Sequence, residues 1–245
     1  MTGSLTIPEP RPKGRPAGFQ RWQELLFLHW RVEPKVIQSH LPAGLEVETF
    51  DGAAFIGIVP FTMRDVSPWW SPSIPGLSNF HELNVRTYVR HNGVPGVWFF
   101  SLEAASSVAV FIARTFWHLP YHRARISLHK SGDEVRYTSL RRWPKPLPAE
   151  FDTAYRIGAR RGTAQPSTVE HFLLERYVLF ARRANGSFAL GRVHHEPYPF
   201  YDVELHSLRH TMSAVNGLGP CDDAPAFAHY SPGVDVDVYQ LEPVA

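Results

Sequence analysis

Four X-Gly dipeptides, Asp51-Gly52, Asn92-Gly93, Ser131-Gly132 and Asn185-Gly186, each stand between two apolar or alternating runs of strand length. A glycine after Asp, Asn or Ser accepts the positive φ of a tight turn, so each dipeptide folds the chain back beside the strand it has just left. The hairpins join LEVETF to AAFIGIVPFTM, FHELNVRTYVR to GVWFFSLEA, HRARISLHK to EVRYTSLRR, and YVLFARR to FALGRVHHEP. LLFLHWRV, from Leu25 to Val32, and VDVDVYQL near the C-terminus read as further strands. Such punctuation predicts a mainly β (α+β) chain, an antiparallel barrel or sandwich with a few short inserted helices.

Helical spacing is confined to three stretches. EPKVIQSHLP carries Pro34 in its first turn and ends near Leu41, SSVAVFIARTFW has a serine N-cap, and HFLLER follows the capping box Ser167-Thr168-Val169-Glu170. WWSPSIPG and WPKPLPAEF read as loops. Helices do not alternate with strands and no glycine-rich phosphate loop is present, which argues against a Rossmann-type fold.

The formal charge is +2 and the basic residues are scattered, so neither nucleic acid nor an anionic membrane is an expected partner. Of the 25 cationic residues only four are lysines: Lys13, Lys35, Lys130 and Lys145. Cys221 is the single cysteine, which removes internal disulfides and cysteine-cluster metal sites. No signal-peptide core and no apolar run of about 18 residues occurs, so a cytoplasmic location is expected. Residues 1–18 read as a flexible Pro-rich tail and 19–245 as a single domain.

The second hairpin carries the first functional signal. Period-two alternation in HELNVRTYVR sets Leu83, Val85, Thr87 and Val89 on one face and Glu82, Asn84, Arg86, Tyr88 and Arg90 on the other. Solvent exposure would explain the polar face, but its residue types are those of a hydrogen-bonded cavity wall. A two-residue Asn92-Gly93 turn would bring Glu103 and Ser101 to the face of Glu82 and Arg86. A register shift near Pro95-Gly96 would move Glu103 to the opposite face.

FHELNVRTYV, GVWFFSLEA, ARTFWHLPYHRARI, VRYTSLRR and EHFLLERYVLFA, in that order, resemble the uncharacterised YqjF-like branch of the acetoacetate decarboxylase-like superfamily. The resemblance implies a closed or partly closed β-barrel with a central cavity. It also sets Tyr121 at the position of the family's nucleophilic lysine, His122 at that of the adjacent lysine, Arg114 at its arginine and Glu82 at its wall glutamate. A Schiff base requires a primary amine, desolvated or beside another cation. Neither Tyr121 nor His122 can supply one, and none of the four lysines lies on a motif, so acetoacetate decarboxylase activity is not expected.

The candidate catalytic residues are Tyr121, His122 and Glu82, with Tyr121 and His122 as a proton-transfer pair; cavity filling and a fixed turn are the plainer roles for those two. The candidate substrate-binding residues are Arg86, Arg114, Tyr88, Arg125, Tyr137 and Arg141. The arginines would hold a carboxylate by paired hydrogen bonds or pair internally with Glu82, Glu103 or Glu175, and Tyr137 lines the same space or packs as a strand residue. Glu175-Arg176 reads as a buried ion pair. The 13 histidines form no H-E-x-x-H signature, Ser106-Ser107 lack a nucleophile elbow, and neither a metal nor another cofactor is implied. The function expected is a small-molecule enzyme or ligand-binding barrel for a small carboxylate or keto acid. The alternative is a noncatalytic binding or sensor protein. The Trp69-Trp70 loop leaves packing on a second subunit open.

Overall fold

The computed structural model describes residues 10–74 and 77–244. In chain order the elements are β1 (Gly18–Val32), α1 (Pro34–Gln38), β2 (Glu46–Val47), β3 (Ala54–Pro68), β4 (Phe80–His91) and β5 (Val94–Ala104). They continue with α2 (Ser107–Phe116), β6 (Tyr121–Ser131), β7 (Glu134–Trp143), β8 (Glu150–Thr163), α3 (Val169–Leu174) and β9 (Val178–Arg182). The last are β10 (Phe188–His195), β11 (Pro199–His210), α4 (Met212–Val215), β12 (Phe227–Val238) and β13 (Glu242–Pro243). Among the described residues no helix is long and apolar enough to cross a membrane.

The sheet closes on itself twice. Its order, β13-β10-β9-β5-β6-β7-β8-β11-β12-β1-β3-β4-β2, is completed by pairings of β4 with β5 and of β10 with β12. One ring runs β5-β6-β7-β8-β11-β12-β1-β3-β4 and back to β5, and a second runs β5-β9-β10-β12-β1-β3-β4 and back. The two share β12, β1, β3, β4 and β5 as a common wall, and closure leaves those strands no free edge.

Because successive side chains point to opposite faces, the shared wall serves two interiors. Leu26 and Leu28 of β1, Ile56 and Ile58 of β3, and Leu83 and Val85 of β4 pack with Tyr137, Phe151 and Tyr155 and fill the larger ring. Leu25, Phe27, Val59, Phe61 and Met63 face the smaller ring, with Phe172 and Leu174 of α3. Burial on both faces explains why LLFLHW is a continuous apolar run rather than an alternating one.

Several local expectations shift. The Asp51-Gly52 turn is flanked by a lone Phe50–Ala53 bridge, and β2 pairs with β4 instead of β3. In the third hairpin Ser131 pairs with Glu134, so the turn is Gly132-Asp133. The α3 cap is Thr168, which accepts from the His171 amide, not Ser167. Two pairings in the otherwise antiparallel sheet are parallel, β5 with β6, which α2 connects, and β5 with β9. β8 and β11 pair with each other across α3, β9 and β10, so no tight-turn signal marks that pairing. The first nine residues of the expected tail lie outside the described ones. The rest runs along the barrel, with Arg11 on Asp237, Ala17 donating to the Val238 carbonyl at 2.7 Å and the Arg15 guanidinium 3.4 Å from the Trp69 ring centre.

Candidate functional site

β4 and β5 meet through the two-residue turn expected, with Asn92 at φ 49° and Gly93 at φ 81°, and His91 opposite Val94. A bulge at Phe100 then changes the register: Arg86 opposes Phe99, but Val85 opposes Ser101, Leu83 opposes Glu103 and Glu82 opposes Ala104. One extra residue exchanges the faces of everything beyond it. Glu103 and Ser101 therefore leave the face of Glu82 and Arg86 and enter the filled ring, where Arg141 donates to both Glu103 oxygens through Nε, at 3.1 and 3.0 Å.

The polar face of β4 is not on solvent. Glu82, Asn84, Arg86 and Tyr88 are all buried, and the first three line a cavity of about 560 Å³ inside the smaller ring. Its walls come from β1, β3, β4, β5, β9, β10 and β12, and α2 and the Trp70 loop stand at its outer end. The remaining lining is largely apolar, so the few polar groups act in a low-dielectric space.

At the inner end, Arg86 Nη2 donates to the Leu173 carbonyl at 2.9 Å and to the Tyr88 hydroxyl at 3.3 Å, while Arg86 Nε has no partner. No carboxylate among the described residues forms an ion pair with Arg86. Gly57, directly opposite Arg86, makes the room: a Cβ there would lie 3.2 Å from Arg86 Cγ and 3.1 Å from the His29 ring. The Tyr88 hydroxyl spends its proton on the Leu173 carbonyl at 2.6 Å, so His29 Nε2, at 2.7 Å, must donate to it. Burial, then the charge of Arg86, pushes His29 well below its ordinary value and keeps it neutral. Arg176 also lines this end and pairs with Glu48 at 2.6 Å, but Glu48 is shared with Arg90 at 2.6 Å. Two guanidiniums thus share one carboxylate, and Arg86 has none among the described residues.

Four residues back along β4, Glu82 accepts from the Tyr121 hydroxyl at 2.8 Å. Burial raises the Glu82 carboxyl to about 8, against the lowering effect of the Tyr121 bond, so it holds its proton at neutral pH. Burial and the neighbouring Glu82 push Tyr121 well above its ordinary value. A neutral acid, a phenol and a guanidinium without an ion-pair partner, set in one largely apolar space, are chemically able to bind an anion and exchange a proton.

The family profile of DUF2071, described as an uncharacterized conserved protein (COG2071), matches residues 19–235. The chain belongs to the DUF2071 family. Within reach of the same assignment, YqjF of Bacillus subtilis (strain 168) is 36% identical over 222 residues, 91% of this chain and 90% of that one. The fold extends further. Acetoacetate decarboxylase of Legionella pneumophila superposes with a TM-score of 0.63 at 15% identity, covering 98% of this chain and 93% of that one. The enduracididine biosynthesis enzyme MppR, in complex with pyruvate, gives 0.62 at 14% identity over 96% and 93%. An acetoacetate decarboxylase-like enzyme of Sphingomonas wittichii RW1 gives 0.63 at 12% identity over the whole of both chains. This DUF2071 chain therefore has an acetoacetate decarboxylase-like fold.

Against that fold, the residues named from sequence separate into two groups. Glu82, Tyr121 and Arg86 come together in the cavity, and Tyr88 backs it through its hydroxyl. His122 does not join them: on a strand it must point away from Tyr121, and its Nδ1 lies 3.8 Å from Glu103 in the filled ring. Arg141 is there too, and Tyr137 crosses that ring to donate to the Glu82 backbone carbonyl at 2.8 Å. Arg114 is exposed, donating to the Tyr121 carbonyl at 2.7 Å and lying over Trp143, and Arg125 is exposed as well. Glu175 and Arg176 are not partners: Glu175 accepts from the Tyr177 hydroxyl at 2.6 Å and the Tyr198 amide at 2.9 Å. Asn84, whose Oδ1 has no protein partner, and Arg176 belong to the cavity without having been named for it. Alternation along β4 already placed Asn84 there.

Proposed function

We propose that this chain binds a carboxylate of the keto acid class in its cavity and moves a proton on it with Glu82 and Tyr121, without a Schiff base. The observation that carries this reading is a buried, unneutralised Arg86 on the same wall as a protonated Glu82. A guanidinium without an ion-pair partner suits a ligand carboxylate. A carboxyl whose value sits near 8 can release and recover a proton close to neutral pH, as removal and return of a proton beside a carbonyl requires. The pyruvate bound by MppR shows that this fold accommodates a keto acid in one of its members. None of the four lysines lines the cavity, which supports chemistry without an iminium.

The test is deuterium exchange in D2O at the carbons beside the ketone of an oxo acid whose ketone lies several carbons from its carboxylate, followed by NMR. The wild-type protein should catalyse exchange, and Glu82→Gln should slow it by about a hundredfold or more. Equal exchange in both would remove Glu82 as the base. The noncatalytic reading draws support from the Tyr121–Glu82 bond, which satisfies both groups without a ligand. It expects binding of the same acid with no exchange in the wild type.

A further inference from the structure

We infer that the ligand is an amphiphilic carboxylate, an acid with an extended apolar body, held by its carboxylate at Arg86 and running past Glu82 to the outer end of the cavity. This rests on the carboxylate reading above and adds the substrate class. Three observations carry it. First, about 560 Å³ lies in the range of roughly 300–1,000 Å³ that suits drug-sized ligands. A three-carbon acid would leave most of it unfilled.

Second, the strand register orders the cavity. Gly57 opposes Arg86, Phe61 opposes Glu82 and Met63 opposes Phe80, so these pairs succeed one another from the inner end outward. At about 3.3 Å per residue, the Cα atoms of Arg86 and Glu82 are roughly 13 Å apart. The Arg86 guanidinium also leans away from Glu82, toward Tyr88. A short acid anchored at Arg86 ends before it reaches Glu82 and Tyr121.

Third, charge and apolarity are segregated. Glu82, Arg86 and Arg176 are the acidic and basic residues of the lining, and all lie at or inside the level of Glu82. From Phe80 outward no charged side chain among the described residues lines the space, which ends beside Ile112 and Trp70, themselves 45% and 71% exposed. Apolar surface left open to water at the end of an apolar passage matches the tail of an amphiphile.

Isothermal titration of the full chain with butyrate, hexanoate, octanoate and octanamide tests this. Affinity should tighten roughly three- to fourfold per added methylene, the value expected for burying one methylene group. Octanamide should bind at least about tenfold more weakly than octanoate, as loss of a charge-assisted contact implies, and Arg86→Gln should abolish that difference. If butyrate binds as tightly as octanoate while the amide is still disfavoured, the amphiphile inference falls and the carboxylate reading stands. If octanoate and octanamide bind the wild type alike, the carboxylate reading itself falls.

Discussion

The two rings bury the same kinds of residue and treat them in opposite ways. In the filled ring Glu103 and Arg141 close on each other, and burial, which pushes the Glu103 carboxyl up, is opposed by the bonds from Arg141. In the cavity ring Arg86 and Glu82 stand on one strand, four residues apart, and do not meet. Satisfied charges hold a structure together, whereas a guanidinium kept from any carboxylate beside open space leaves its charge for a ligand. The shared wall makes the contrast sharp, since Glu103 on β5 opposes Leu83, the neighbour of Glu82.

Breaking the satisfied pair should have the largest effect. Arg141→Met would leave the Glu103 carboxylate buried without its cation, and should cost about 3–5 kcal/mol of unfolding free energy by urea titration. Glu103→Leu added to it should recover much of that loss. Arg86→Met removes another buried guanidinium, yet the Leu173 carbonyl keeps its Tyr88 bond. Its stability change should stay within about 1 kcal/mol. Similar losses in the two single variants would erase the distinction between the rings.

Glu82 sharpens the comparison through pH. Unfolded, its carboxyl ionises near its ordinary value of 4.5, while the folded one keeps its proton to about 8. Between those values the native state binds the additional proton, so this group subtracts stability progressively as pH rises through the window and no further above it. Glu82→Gln lacks this dependence. Its stability relative to wild type should rise by roughly 2–4 kcal/mol between pH 5 and pH 8, read from denaturant midpoints at each pH. A flat difference would mean that Glu82 is already ionised in the folded protein.

The strands next to glycine turns were legible because their signals are local: Asn92-Gly93 and Asn185-Gly186 each specify a hairpin within a dozen residues. β8 and β11 were not, since their pairing spans three other elements. The site divides the same way. Alternation on β4 located Glu82, Asn84 and Arg86, and the resemblance brought Tyr121 beside them. The bulge at Phe100 has no glycine or proline to mark it, so Glu103 could not be assigned to a face from sequence. Likewise, nothing local shows that Arg114 lies outside the cavity and Arg176 within it.

His122 gives the smallest expected effect and the most direct check on where the cavity ends. Burial, followed by the charges of Arg141 and Arg114, lowers it to about 4, so it is neutral at physiological pH and makes no ion pair with Glu103 there. It also points away from the space that Glu82 and Tyr121 face. His122→Asn should therefore change octanoate affinity and exchange beside the oxo-acid ketone by less than about threefold, well under the hundredfold or more expected when a proton-transferring group is removed. Loss of exchange beyond tenfold in a variant with unchanged thermal midpoint would restore Tyr121 and His122 as a functional pair. The wall between the two rings would then have to transmit a proton rather than separate a packed interior from a reactive one.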